Sequence, residues 1–368
     1  MTADELQALG LWDPAAPDAD ERLALLTYVA SLGATPEELR EYADDLSGLA
    51  YVCVMRGRGP RLVRAELAER VGVSEAIVSE VTRAAGFADP GPDDAIYGPG
   101  WIDVLQTVRA AEAVFGHEAV IDLARVIGAA LAKIADATAS AFVVHVGAAQ
   151  ESPLIRARAN VDSSALFPGL IRTMDVLLRQ HMIAARRMPD SVSPDGWTMR
   201  LTIGFVDLVG STALAQELTV RELNAVLTRF EATAAEIVHG AGGRLVKLIG
   251  DEVMFAFADP LAACETTLRL VEELPRHDAL PPARGGLAMG EVLSRDGDHY
   301  GPVVNMAARL VQLARPGTAL VTRELAQQLS PAYRAVEIPA RRLRGFDGRQ
   351  RIYALRRAVA PASTHEPY

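Results

Sequence analysis

Two aspartates, 44 positions apart, carry the strongest chemical signal in this chain. Asp251 lies in Arg244-Leu-Val-Lys-Leu-Ile-Gly-Asp-Glu-Val-Met-Phe255, where β-branched and aromatic residues flank a Gly-Asp pair. That pattern predicts strand, tight turn, strand. A carboxylate at a hairpin tip is held rigidly while its oxygens stay free, which suits a hard cation. Aspartate also favours turns for local reasons, so Asp251 alone would mean little. Asp207 supplies the second signal, at the end of the apolar run Leu201-Thr-Ile-Gly-Phe-Val-Asp. Leu208-Val-Gly210-Ser211-Thr212 follows, then a helical pattern on Leu214, Leu218, Leu223, Val226, Leu227 and Phe230. The free N–H groups of a first helical turn placed there would face a phosphate. Lys247 stands four residues before Asp251, and even spacing puts the two on roughly the same side of the strand.

The elements that must position these residues begin near residue 199. The expected order is strand 199–207, helix 213–239, strands 244–249 and 252–258, helix 260–274, strand 283–292 and helix 302–314. Strand 318–321, a short helix 322–329 and strands 334–344 and 350–356 complete it. A ferredoxin-like β-α-β-β-α-β core with additions fits this order, an α+β fold. In such a core the end of the first strand and the tip of the neighbouring hairpin lie side by side, so Asp207 and Asp251 meet.

Residues 1–187 read as all-helical, with helices at 20–32, 36–46, 61–71, 74–85, 101–115, 117–146 and 168–187. A linker is expected at 188–198, the mixed domain at 199–357 and a flexible tail at 358–368. The stretch 61–85 has helix-turn-helix spacing, with Gly72 at the turn and Ser74 as the next N-cap. Its second helix carries Glu75 and Glu80 against Arg83, which favours a structural helical hairpin over a DNA reader. The apolar region 120–149 contains Asp122, Arg125, Lys133, Asp136 and His145, too many charges for a membrane span. It reads as a buried helix or helix pair, with room for a lipid.

Composition narrows the function classes. The chain has 368 residues and a formal net charge of −10, which argues against non-specific nucleic-acid binding and against an anionic membrane surface. Cys53 and Cys264 stand in apolar surroundings with no pairing pattern, and the acidic N-terminus lacks a signal-peptide pattern. A cytoplasmic location is expected.

Asp207 in FVDLVGST, Lys247 and Asp251 in VKLIGDEVMF, and HYGPVVNMAARL at 299–310 together resemble the class III nucleotide cyclase catalytic domain, bacterial subgroup. The match covers about 200–357, and a helical domain ahead of it is similar to mycobacterial pH-responsive adenylyl cyclases. The resemblance implies conversion of ATP to 3′,5′-cyclic AMP and pyrophosphate with two divalent cations, Mg2+ or Mn2+. The metal ligands would be Asp207, Asp251 and the backbone carbonyl of Leu208; Glu252, turned away by strand alternation, reads as structural. Gly210, Ser211 and Thr212 would meet phosphates. Lys247 would donate to adenine N1. Asp298, seven positions before Asn305, would accept from the N6 amino group, with Asp296 as the neighbouring substitute. Asn305 would orient the ribose and Arg309 stabilise the charged transition state. Arg344 or Arg351 is a further candidate cation for the phosphates. In this family the metal carboxylates and the Asn–Arg pair of one site come from different subunits, so a homodimer is implied.

A helical half ahead of a linker suggests gating of the catalytic dimer, and His181, just before the linker, is the candidate pH sensor. The rival readings are distinct. A guanylyl cyclase would want an acid where Lys247 stands, because guanine reverses the donor and acceptor order. A diguanylate cyclase would want a glycine in place of Ile249 and a phenylalanine in place of Val253. A DNA-binding regulator using 61–85 would show salt-dependent DNA affinity.

Overall fold

The computed structural model describes residues 1–56, 59–145, 152–186, 198–276 and 280–358. The linker placed at 188–198 and the tail at 358–368 fall, but for one residue each, outside them. The chain divides into two compact units, Met1–Met182 and Ile183–Tyr368.

The first unit is helical: α1 (Ala3–Ala8), α2 (Ala19–Ser31), α3 (Pro36–Glu41), α4 (Leu46–Met55), α5 (Arg64–Val71), α6 (Glu75–Ala84), α7 (Gly100–Phe115), α8 (His117–His145), α9 (Pro153–Ser164) and α10 (Phe167–Arg186). Local chemistry sets the boundaries. Thr2 with Glu5 and Thr35 with Glu38 form capping boxes, Ser74 caps α6, and Gly72 ends α5 at φ 75°. One core gathers Leu26, Leu39, Leu49 and Ala157, and a second gathers Leu67, Val78, Tyr97 and Leu105. The stretch 61–85 packs into the second core through Val78, Val81 and Ala84. Of its cations, Arg64 pairs with Glu75 and Asp89, and Arg83 with Asp89, while Arg61 and Arg70 are exposed. That is a packed helical hairpin whose second helix carries Glu75 and Glu80 against the single cation Arg83.

Three readings need correction here. The helix expected at 36–46 stops at Glu41, and α4 starts anew where the Asp45 carboxylate accepts from the Gly48 amide at 2.9 Å. Helices α1 and α9 had no counterpart in the reading. Region 120–149 is buried mainly at its start, at Val120 and Ile121: α8 is one helix on which Leu123, Ile127 and Leu131 are about half exposed, and the side chains from 143 onward lie outside the described residues. A helix of 29 residues is roughly 43 Å long, more than the short helices packed against its start can cover. The lipid expectation assumed an enclosed 120–149 core and loses that premise. An open cleft with a mostly apolar lining lies between α4, the end of α8, α9 and α10, and nothing in that lining specifies a lipid over another apolar occupant. No helix among the described residues is long and apolar enough to cross a membrane.

The second unit is mixed: β1 (Thr198–Leu208), α11 (Ser211–Glu217), α12 (Val220–Gly240), β2 (Arg244–Ile249), β3 (Glu252–Phe257), α13 (Pro260–Glu273), β4 (Ala283–Arg295), β5 (Asp298–Tyr300), α14 (Pro302–Leu313), β6 (Ala319–Thr322), α15 (Arg323–Ala326), β7 (Tyr333–Arg342) and β8 (Arg349–Arg357). The sheet runs β2-β3-β1-β4-β6-β8-β7, with β5 folded back on β4. All ladders are antiparallel except β4–β6. Strand alternation splits the core. Val206, Leu208, Val253, Phe255 and Phe257 meet α12 and α13 on one face. Leu201, Ile203, Phe205, Met254 and Ala256 meet α14 on the other. The helix expected at 213–239 is two, because Thr219 and Glu222 form a capping box that starts α12 afresh.

Candidate active site

The sheet face under α14 holds the site. Gly250, at φ 63°, and Asp251 form the two-residue turn between β2 and β3. A positive φ at the first turn position is the conformation glycine supplies in a hairpin. The Asp251 main-chain carbonyl accepts from the Leu208 amide at 3.1 Å, which pins the tip to the end of β1. The Asp251 carboxylate accepts from the Ser211 hydroxyl, at the first residue of α11. Gly210 precedes it at φ 82°, and the Thr212 side chain lies outside the described residues.

Asp207 stands at the centre of a line of charges across three strands. It pairs in register with Glu252 on β3 and with Arg284 on β4. Directly opposed residues share a face, so Glu252 does not turn away from the site as expected. It lies beside Asp207, and burial together with the Asp207 charge pushes its carboxyl up to about 7. Arg284 donates to Asp207 Oδ2 from Nε at 2.8 Å and from Nη2 at 2.6 Å. Asp207 is 7% exposed. Burial raises its pKa, Arg284 opposes this, Asp251 adds to it, and the net shift is upward. The Leu208–Asp251 main-chain bond sets Asp251 beside the end of β1, next to Asp207.

The donor set fits a hard cation. Two carboxylates converge, and no group of three His, Cys, Asp or Glu side chains able to hold a metal occurs among the described residues. Such a pair suits Mg2+ or Mn2+, which keep several waters and take further oxygens from substrate phosphates. The Leu208 main chain adjoins the pair.

Lys247 and Asp298 meet 51 positions apart, Nζ to Oδ2 at 2.5 Å. A bulge between Leu245 and Lys247 resets β2 so that Lys247 stands opposite Met254, on the α14 face. Asp298 opens β5, an element absent from the expected order. The hairpin turn is Asp296-Gly297, with φ of 57° and 79°, the geometry favoured in two-residue hairpin loops. Arg244 ties this turn to β2 by donating to the Gly297 carbonyl at 2.8 Å. Burial pushes the Asp298 carboxyl up, but the Lys247 ammonium and the His299 amide outweigh it and hold it below its usual range. Asp296 pairs with Arg295 instead of Lys247.

Asn305 and Arg309 project from α14, one turn apart and exposed, with no side-chain partner among the described residues. Their helix lies close on β4 because Gly286 lacks a side chain: a Cβ there would fall 2.2 Å from the Val311 nitrogen. At the end of α14, Gln312 accepts from Arg284 through its main-chain carbonyl at 3.1 Å and its side-chain oxygen at 3.0 Å. Sequence reasoning missed both Arg284 and Gln312. Counting register outward from Asp207 through the expected sheet would have found Arg284; Gln312 left no signal. Of the other candidates, Arg351 is paired with Glu337, Arg344 is exposed, and His181 is exposed on α10.

Comparison with known proteins is informative at both ends of the chain. Residues 3–185 match a family model described as the adenylate cyclase regulatory domain. An adenylate cyclase of Glutamicibacter nicotianae is 35% identical over 309 residues, covering 77% of this chain and 76% of its own. An adenylate cyclase of Streptomyces coelicolor is 31% identical over 301 residues, covering 80% and 79%. A pH-sensitive adenylate cyclase of Mycobacterium tuberculosis is 28% identical over 354 residues, covering 92% and 89%. Among solved structures, the adenylyl cyclase CyaB of P. aeruginosa aligns with 44% of this chain and 97% of its own, at 23% identity and a TM-score of 0.40.

Proposed function

This chain belongs to the adenylate cyclases, and from that premise we propose that it forms 3′,5′-cyclic AMP and pyrophosphate from ATP at two equivalent sites of a homodimer. The carrying observation is the Lys247–Asp298 pair on the same sheet face as Asp207. Adenine offers an acceptor at N1 and a donor at N6, and a lysine and an aspartate satisfy these in turn. Before the base arrives the two satisfy each other, so its entry exchanges hydrogen bonds instead of stranding them. Guanine reverses the order, and each mismatched buried group would cost about 1–3 kcal/mol.

Asp207 and Asp251, with the Leu208 carbonyl, would hold two divalent cations, Mg2+ or Mn2+. Bound there, such ions supply Lewis acidity to the attacking 3′-hydroxyl and offset charge on the leaving pyrophosphate. The chain's own side chains do the positioning. Ser211 fixes the Asp251 carboxylate by donating to Oδ2, and Gly210 and Thr212 flank it in the phosphate turn. Asn305 orients the ribose, and Arg309 steadies charge as it develops on the phosphate oxygens. Both leave α14 exposed, as side chains completing a second copy's site would. Within this reading 1–187 regulates, 188–198 links, 199–357 catalyses and 358–368 is a tail. The helical unit gates closure of the dimer, with pH as the signal and His181 as the sensor.

Product analysis tests the activity. The full chain is incubated with ATP or GTP and Mg2+ or Mn2+, beside Asp251→Ala. Cyclic AMP from ATP, little product from GTP and none from the variant are expected. Cyclic GMP from GTP as the main product would overturn the base assignment, and unchanged turnover by Asp251→Ala would overturn the site.

A further inference from the structure

Arg284 places two N–H donors on one oxygen of Asp207, Oδ2. A carboxylate gripped in this way cannot rotate freely, and its other oxygen, Oδ1, is the one left for a cation shared with Asp251. What keeps the guanidinium in that pose is the end of α14. Gln312 accepts from Nη1 through its main-chain carbonyl and from Nη2 through its side-chain oxygen. The carbonyl is among the last in α14, one that the helix leaves without an internal partner. The Gln312 amide reaches on toward Glu252 Oε2 at 3.4 Å, so one side chain touches both charges that flank Asp207.

We propose that Gln312 is a positioning residue for the cation site, acting through Arg284 to set which Asp207 oxygen meets the metal. The proposal rests on the reading of Asp207 as a metal ligand. Groups that hold a metal's ligands fix their orientation, and losing one typically weakens the metal about 10–100-fold. Gln312 stands one contact further out, is exposed, and shares its task with a main-chain carbonyl that no substitution removes. A smaller effect follows, about threefold to tenfold. A second consequence is geometric: the helix that carries Asn305 and Arg309 is tied at its other end to the metal carboxylate of its own subunit.

The test is Mn2+ binding to the full-length protein without nucleotide, followed by the electron paramagnetic resonance of free Mn2+. Gln312→Met keeps the length and loses the acceptor; Gln312→Glu keeps an acceptor for Arg284. The expected result is binding weakened threefold to tenfold in Gln312→Met and restored to the wild-type level or above in Gln312→Glu, with melting temperatures unchanged. Wild-type Mn2+ affinity in Gln312→Met would overturn the proposal, as would tighter binding, which would make Arg284 a competitor of the cation and not an aid. Asp207→Asn separates the two levels. If it abolishes binding while Gln312→Met does not alter it, only the positioning role falls; if it leaves binding unchanged, the metal reading falls with it.

Discussion

At the scale of single residues the site is a set of charges held at the edge of burial, and His299 is the member that pays no visible part in binding. It is 1% exposed, and neither ring nitrogen has a hydrogen-bond partner among the described residues. Burial, then Arg244, push its pKa below the ordinary histidine value; Asp298 opposes them, and Lys247 adds the smallest push downward. The folded state thus prefers the neutral ring. The stability this contributes is present above the unfolded value of about 6.5 and is lost as pH falls through the lower folded value. His299→Leu removes both the titration and an unsatisfied buried group, whose desolvation costs about 1–3 kcal/mol. Melting curves from pH 7.5 to 5 should show the wild type losing stability faster on acidification than the variant; parallel curves would contradict this. The same principle explains which residues could be read from sequence. Asp207 and Asp251 interrupt apolar strands, where a charge is costly without a purpose, and Lys247 does so too. Arg284 begins a strand near a loop and reads as a surface cation. Its role exists only because β4 is the register neighbour of Asp207, a fact of pairing and not of local sequence.

At the scale of elements, the closeness of α14 to β4 decides where Asn305, Arg309 and Gln312 stand. Gly286 permits it, since an added Cβ would meet the Val311 nitrogen at 2.2 Å and the Ala307 carbonyl at 2.7 Å, both backbone atoms that cannot step aside alone. Gly286→Ala should therefore lift the helix as a body. Overpacking of this kind costs about 1–3 kcal/mol, visible as a lower urea midpoint. kcat should fall more than the ATP affinity, because Lys247 and Asp298 lie off the helix. A variant with wild-type kcat would show that α14 need not sit so close. Helix α14 and the β2–β3 hairpin were legible because their periods and turn residues agree. Helix α4 was not, since LSGLAYVCVM is apolar nearly all round and shows no face. The exposure of α8 was illegible for a related reason: periodicity says which side of a helix is apolar, but not whether the neighbours are long enough to cover it.

At the scale of the whole molecule, the proposed site draws on two sets of residues, the acids and the Asn–Arg pair. Asp207 and Asp251 lie together at the ends of β1 and the β2–β3 turn, while Asn305 and Arg309 are exposed on α14 without partners of their own among the described residues. Under the proposed homodimer, two-fold symmetry pairs the acids of one copy with the amide and guanidinium of the other. This arrangement makes a quantitative prediction that a self-contained subunit does not. Asp251→Ala and Asn305→Ala should each be inactive alone. In an equimolar mixture half of the dimers combine one of each, and every such dimer has one site with both lesions and one with neither. Activity should then return to roughly a quarter of the wild-type level, given random exchange of equivalent subunits. Mixing at fixed total protein, with time for exchange, measures it by cyclic AMP formed per minute. If the mixture stays as inactive as its components while size-exclusion chromatography shows exchanged dimers, the acids and the Asn–Arg pair serve the same subunit, and the exposed face of α14 must be explained otherwise.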